Sequence, residues 1–149
     1  TRKRTLFPYT TLFRSSESYY HVFDFWAQRY LGAATGTFAC AALELGHCQI
    51  LAFTPLQGRP QVVGASRHVS VGAVSILGEH WDATTLRLTL AGVPGTTESY
   101  WIHVPDGNTL EDVRVTGASA TWDANADGLV RMTLSFQDAQ VVATAAFAS

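Results

Sequence analysis

Lysine is almost absent from this 149-residue sequence, which holds only Lys3. From residue 16 onward the basic residues are six arginines against twelve acidic residues, a formal charge of −6. Nucleic-acid binding requires clustered basic side chains that displace counterions. We therefore expect no nucleic-acid partner.

Long apolar runs are also missing, and no segment shows a convincing helical period. A membrane-spanning helix needs roughly 20 consecutive apolar residues. We therefore expect neither a membrane partner nor a helical fold.

Cysteine is scarce, with only Cys40 and Cys48 on either side of a predicted turn at Leu45-Gly46. In a hairpin centred on that turn the two sulfurs would not face each other, so two buried free thiols are favoured over a disulfide. A zinc site has little support, since His47 is the only nearby histidine and the sequence has no C-x-x-C motif. We expect no cofactor.

The first fifteen residues are set apart from the rest. The segment Thr5–Ser15, TLFPYTTLFRS, matches the translation of a common short-read sequencing adapter at every position. We therefore interpret residues 1–15 as an adapter-derived artefact that carries no information about the natural fold. The chain also begins with Thr1, and its one methionine is Met132, so we expect the natural N-terminus to be missing.

Apolar residues then recur in steps of two, the period of half-buried strands. Strands are predicted over 19–26, in a hairpin of 35–45 and 47–53, and in several segments beyond residue 74. The polar connection near residues 55–60 is the best boundary. The sequence thus predicts an all-β chain: an antiparallel β-sandwich (Ig-like or jelly-roll-like) over 60–149, preceded by the truncated tail of another β-sandwich over 16–56.

The inward-facing rows of the predicted sandwich are well defined. Leu86, Leu88 and Leu90 alternate with polar residues, and a turn follows at Gly92–Gly95. The other predicted inward rows are Tyr100, Ile102 and Val104; Val130, Met132, Leu134 and Phe136; and Val141, Ala143, Ala145 and Phe147.

Three short segments carry a family resemblance. Phe23–Trp26 (FDFW), Tyr30–Gly32 (YLG) and Leu45–Leu51 (LGHCQIL) resemble the closing strands of the β-sandwich that follows the catalytic barrel in α-galactosidases (melibiases) and related glycoside hydrolases. The stretch Gln61–Asp82 is similar to a segment that follows this sandwich in some melibiase-like proteins.

The resemblance implies that a catalytic (β/α)₈ barrel preceded this region and that its two catalytic carboxylates lie outside this chain. It assigns no catalytic residue here. Its implied partner is that upstream barrel, and its implied function is a non-catalytic, structural accessory role. Two alternatives remain open: a carbohydrate-binding module with its own glycan ligand, and an Ig-like adhesion module.

The segment Gly64–His68, GASRH, comes near the nucleophile-elbow pattern G-x-S-x-G. His68 replaces the last glycine and no helix follows, although the elbow needs a strand-turn-helix. Arg67 and His68 could instead bind an anion or a sugar hydroxyl. We favour an anchoring role at the junction between the two units, with Arg67 and His68 bonded to backbone carbonyls or to a carboxylate such as Asp82 or Glu79.

The run Asp123–Gly128, DANADG, fits the first half of a calcium loop, in which Asp123, Asn125 and Asp127 would supply side-chain oxygens. The twelfth position should be glutamate and is Leu134. A β-hairpin that turns at Asp127-Gly128 explains the same residues and is favoured.

Aromatic residues give the remaining functional lead. Trp81, Trp101 and Trp122 lie in or beside predicted strands, and Trp101 shares a face with His103. If exposed, Trp81, Trp101 and His103 could stack on sugar rings of a glycan. Packing of Trp101 against a neighbouring strand or the preceding unit is favoured, because a large aromatic side chain seldom stays fully exposed.

Overall fold

The computed structural model describes residues 18–40, 42–124 and 128–148, and over these residues the chain is all-β, with antiparallel strand pairing and no helix. Within the same residues, no helix is long and apolar enough to cross a membrane. The described strands are β1 (Tyr19–Asp24), β2 (Arg29–Thr35), β3 (Leu51–Pro55), β4 (Gln61–Ala65), β5 (Ile76–Trp81), β6 (Thr85–Ala91), β7 (Thr97–His103), β8 (Thr109–Thr116), β9 (Ala118–Ala124), β10 (Leu129–Phe136) and β11 (Gln140–Ala148).

Eight of these strands form a sandwich of two four-stranded sheets. One sheet has the order β4-β7-β10-β9 and the other the order β5-β6-β11-β8. The pairs β5–β6 and β9–β10 are sequential antiparallel neighbours, while the other connections cross from one sheet to the other. The predicted antiparallel β-sandwich is thus confirmed.

The predicted inward rows form the core between the two sheets. Because side chains alternate between the faces of a strand, each row buries one face while its intervening residues point outward. The buried core cluster consists of Val62, Ala65, Leu86, Leu88, Leu90, Tyr100, Ile102, Val104, Val113, Val130, Met132, Leu134, Phe136, Val141, Ala143, Ala145 and Phe147.

The turn between β6 and β7 follows its predicted chemistry. Thr96 N donates to Val93 O at 3.0 Å, and Gly95, at the third position, has φ +84°. Proline at the second position and glycine at the third are the residues that a type II turn favours. Just before this turn, a Cβ on Gly92 would meet Phe136 Cδ1 at 2.0 Å, so a side chain at Gly92 would collide with the core.

The remaining strands form a separate three-stranded sheet, in the order β2-β1-β3. Strands β1 and β2 are joined by a turn in which Asp24 Oδ1 accepts a hydrogen bond from Ala27 N at 3.1 Å. Asp24 Oδ2 accepts a second bond from Gln49 Nε2 at 2.6 Å, which ties the segment before β3 to the end of β1. Asp24 is therefore held by local structure at both oxygens.

The predicted hairpin of 35–45 and 47–53 is wrong in most of its extent. The chain forms β2 earlier, at Arg29–Thr35, and β3 only at Leu51–Pro55. The described residues between them are irregular, although the turn near Gly46 is present, with φ +87° and a bond from His47 N to Glu44 O. Pairing with β1 decides these boundaries, because both β2 and β3 bond to it.

The environment of the cysteines follows from this correction. Cys40 and Cys48 are free, as favoured, but both are exposed. Their predicted burial is wrong because the described residues around them belong to no strand and are not among the buried residues of the sandwich core.

Candidate functional site

The junction between the three-stranded sheet and the sandwich brings together several of the singled-out residues. Trp101, on the outer face of β7, packs against Phe23 of β1 with ring centroids 5.0 Å apart. Gly64 of β4 makes room for this contact, since a Cβ there would lie 2.5 Å from Phe23 Cε2. The aromatic ring of Trp101 is thus half-buried by the preceding sheet.

A histidine pair lies at the same junction. His21 of β1 and His103 of β7 have ring centroids 4.4 Å apart, with their planes tilted by 42°. Tyr30 of β2 completes the cluster at 5.7 Å from His21 and 5.9 Å from His103. The Tyr30 hydroxyl and His21 Nδ1 are hydrogen-bonded at 2.8 Å. His103 is therefore partly buried at the junction, where it packs against two rings.

Burial governs the protonation of this pair. His21 is 1% exposed, and its pKa is lowered to about 4, first by burial and then by the neighbouring His103. Burial also lowers the pKa of His103, while the negative charge of Asp106 opposes that shift. Burial raises the pKa of Tyr30. All three side chains are consequently neutral at pH 7.

A second polar cluster lies at the β4 end of the sandwich. Glu98 is buried on the core face of β7, where its Oε2 accepts a hydrogen bond from the Tyr100 hydroxyl at 3.0 Å. Arg67 Nη1 lies 3.0 Å from Glu98 Oε1 in an ion pair. The same nitrogen donates to Ala91 O at 2.9 Å. Burial, followed by the negative charge of Glu98, raises the pKa of Tyr100, so its hydroxyl remains a donor.

This geometry partly corrects the expectation for Arg67. It does bond to a backbone carbonyl, but its carboxylate partner is Glu98 and not Asp82 or Glu79. Glu79 pairs with Arg59 at 3.0 Å. Because Arg67 reaches Ala91 at the end of β6, it fastens the loop after β4 to the sandwich itself.

The neighbours of Arg67 are held locally. Ser66 Oγ accepts a hydrogen bond from Ser99 N at 2.8 Å, and Ser66 N donates to Ser99 O. His68 Nδ1 lies 3.0 Å from Ser70 Oγ and accepts from Ser70 N at 3.2 Å. Ser66 and His68 thus point to different partners, and β4 continues into turns and not into a helix.

Trp81 and Asp82 lie at the end of β5. Trp81 packs edge-on against Phe147 of β11, with centroids 5.8 Å apart, at the margin of the core. Asp82 is exposed in the turn before β6, where its N donates to Thr85 O.

The calcium candidates are only partly described. Asp123 is exposed at the end of β9 and lies 3.9 Å from Arg131 Nη2. Asn125 and Asp127 lie outside the described residues. Strands β9 and β10 pair antiparallel, with Val130 opposite Ala124, so the two arms of the favoured hairpin are present, while Asp127 of its predicted turn lies outside the described residues. Among the described residues, no group of three or more metal-ligating side chains is placed to hold an ion.

Four residues of the two clusters were not identified from sequence: His21, Tyr30, Glu98 and, as a polar group, Tyr100. Two of them carried a usable signal. Glu98 stands two residues before Tyr100 in an inward row that continues to Ile102. His21 stands in the same way before Phe23 and Phe25. Both residues are therefore polar groups at positions that the alternation predicts to be buried. Tyr30 had no such signal, because its role depends on the pairing of β1 with β2.

Comparison with known proteins adds no assignment. A scan against protein-family models and searches of the curated proteins and of the solved structures each found no match.

Proposed function

We propose that this chain is a non-catalytic β-sandwich region of an α-galactosidase-like glycoside hydrolase, where it supports the catalytic barrel. The enzyme class rests on the resemblance of Phe23–Trp26, Tyr30–Gly32 and Leu45–Leu51 to the closing strands of the sandwich in those enzymes. The supporting role rests on the way the described residues use their polar and aromatic side chains.

The observation that carries the proposal is the contact of Phe23 with Trp101 over Gly64. This aromatic contact holds the three-stranded sheet on the outer face of the sandwich. A side chain in place of Gly64 would collide with the Phe23 ring. Because protein interiors resist compression, a close-packed junction of this kind fixes the position of one unit relative to the next.

The buried carboxylates also serve structure. Asp24 holds a turn and Gln49, while Glu98 is enclosed with Tyr100 and Arg67. Glycoside hydrolysis uses two carboxyl groups that flank a substrate bond, roughly 5 to 9.5 Å apart. Asp24 and Glu98 instead belong to different sheets and have their own partners.

The aromatic contacts favour support over glycan binding. Trp101 packs on Phe23 and Trp81 packs on Phe147, so both rings are engaged within the protein. A sugar-stacking platform needs a free aromatic face.

The test has two arms. The purified chain is expected to hydrolyse no nitrophenyl α-galactoside, and turnover that co-purifies with the protein through successive columns would contradict the proposal. Clean reads of the upstream reading frame are expected to encode a barrel with paired carboxylates. In that full-length enzyme, deletion from residue 19 onward should lower the Tm of the barrel, and an upstream frame without a barrel would overturn the assignment.

A further inference from the structure

The histidine pair joins the two regions of the molecule directly. His21 belongs to β1 of the three-stranded sheet and His103 to β7 of the sandwich, and their ring centroids are 4.4 Å apart. Separation of the sheet from the sandwich would therefore separate the two rings and expose both to water. The protonation of these rings and the docking of the sheet are linked for this reason.

The surroundings accommodate neutral rings only. His21 Nε2 and His103 Nδ1 are buried without a hydrogen-bond partner among the described residues. A neutral imidazole has one donor and one acceptor, whereas the protonated ring has two donors that need acceptors. Two protonated rings at this distance would also repel each other.

The titratable and charged groups near the pair are few. Tyr30 comes from β2 and bonds to His21 Nδ1, and Asp106, in the loop after β7, acts on His103. Strands β3 and β4 contribute no charged side chain, while β10, which pairs with β7, places Arg131 opposite Trp101 on the outer face of that sheet. The side chain of Gln61 on β4 raises the pKa of His21 and so offsets part of the lowering. Its amide nitrogen donates to Pro55 O, and its amide oxygen accepts from Gln57 N. Neither atom forms a hydrogen bond to His21 Nε2.

We propose that the contact between the three-stranded sheet and the sandwich is a pH-sensitive latch, which is closed when His21 and His103 are neutral and is released when they are protonated. The docked state keeps both imidazoles neutral, while the undocked state exposes them to water and to protons. Phe23 and Trp101 supply the apolar part of the latch, and the histidine pair makes that contact dependent on pH.

The lowered pKa values decide whether docking strengthens or weakens as the pH falls. In the undocked state the pKa of His21 returns to about 6.5, whereas in the docked state it is about 4. Docking is therefore strongest above about pH 6.5, weakens as the pH falls and levels off below about pH 4. From pH 7 to pH 5, His21 alone should lower the docking equilibrium constant roughly 20-fold. His103 adds to this loss.

Hydrogen exchange on the whole chain at pH 7 and pH 5, corrected for the intrinsic exchange rates, tests the latch. We expect amide protection in β1, β2 and β3 to fall by roughly 20-fold or more, while β6, β10 and β11 keep theirs. Equal protection of the three-stranded sheet at both pH values would overturn the proposal.

Variants separate the latch from general acid sensitivity. His21→Leu combined with His103→Leu should abolish the pH dependence, and the matched variant His80→Gln, at an exposed histidine of β5, should retain it. A double variant that keeps the wild-type pH dependence would contradict the latch. Should the double variant fail to fold, an NMR titration of wild-type His21 decides, because a pKa near 6.5 in the docked protein would equally overturn the proposal.

Discussion

The sandwich and the three-stranded sheet bury their side chains by different means. Among the described residues, the sandwich encloses a cluster of seventeen buried apolar residues between its two sheets, and its own strands supply all of them except Val104, which directly follows β7. The three-stranded sheet has Val22, Phe23 and Phe25 as its buried apolar residues, along with the polar His21 and Asp24. Three strands make a small core by themselves. We therefore expect the sheet to depend on the sandwich for its stability and the sandwich to be stable by itself.

The sharpest test of this difference is a pair of core truncations. Phe23→Ala should weaken docking of the sheet by about 3–5 kcal/mol, because it removes the ring that contacts Trp101. Leu88→Ala, in the sandwich core, should cost about 2–5 kcal/mol of global stability. Hydrogen exchange should show protection lost only in β1–β3 for the first variant and throughout the chain for the second.

Gly64→Ala is a matched variant from the other side of the same contact. Its new methyl group would collide with the Phe23 ring, so docking should weaken by about 1–3 kcal/mol. If Phe23→Ala or Gly64→Ala reduces protection in β10 and β11 as much as in β1, the two regions unfold as one unit and the comparison fails.

A smaller effect is expected at the Arg67 cluster, which lies within the sandwich. Arg67→Ala leaves the buried Glu98 without its cation and should lower the free energy of unfolding by about 2 kcal/mol. This value lies below the roughly 3–5 kcal/mol of a fully buried pair because Arg67 is partly exposed. Urea unfolding of Arg67→Ala provides the measurement. Adding Glu98→Gln should restore part of the loss, and a double variant less stable than Arg67→Ala would contradict the ion pair's role.

Replacement of the cysteines should have the smallest effect on stability. Cys40→Ser and Cys48→Ser should each change the free energy of unfolding by less than about 0.5 kcal/mol, because both side chains are exposed and free. In the native protein both thiols should react with a thiol reagent about as fast as in urea. Slow reaction in the native state would show that the segment before β3 covers them.

The sequence predicted the sandwich well because its strands have one buried face. Leu86, Leu88 and Leu90 illustrate the pattern, with Arg87 and Thr89 pointing outward. Strand β9 was implied only by the predicted hairpin at Asp127-Gly128 and not by alternation, because it is an edge strand rich in alanine, serine and threonine, and its large residue, Trp122, remains 45% exposed. An edge strand with few buried side chains carries little of the alternation on which such predictions depend.

The candidate sites were less predictable, since they depend on pairings distant in sequence. His21 and His103 meet only because β1 docks on β7, and Arg67 finds Glu98 because β4 pairs with β7. The type of contact expected for Arg67 was predictable, because a buried polar group needs a partner. Which carboxylate would supply it was not.

The topology of the sandwich also sets an order of events for a newly made chain. Gln61 of β4 pairs with His103 of β7, and Thr85 of β6 pairs with Ala146 of β11 at the far end of the sequence. Non-local pairings of this kind fold slowly, because loop closure precedes the contacts that stabilise it. The surface that receives Phe23 exists only after β4 and β7 have met. Strands β1, β2 and β3 therefore stay undocked, with Phe23 exposed and open to aggregation, until later residues have folded.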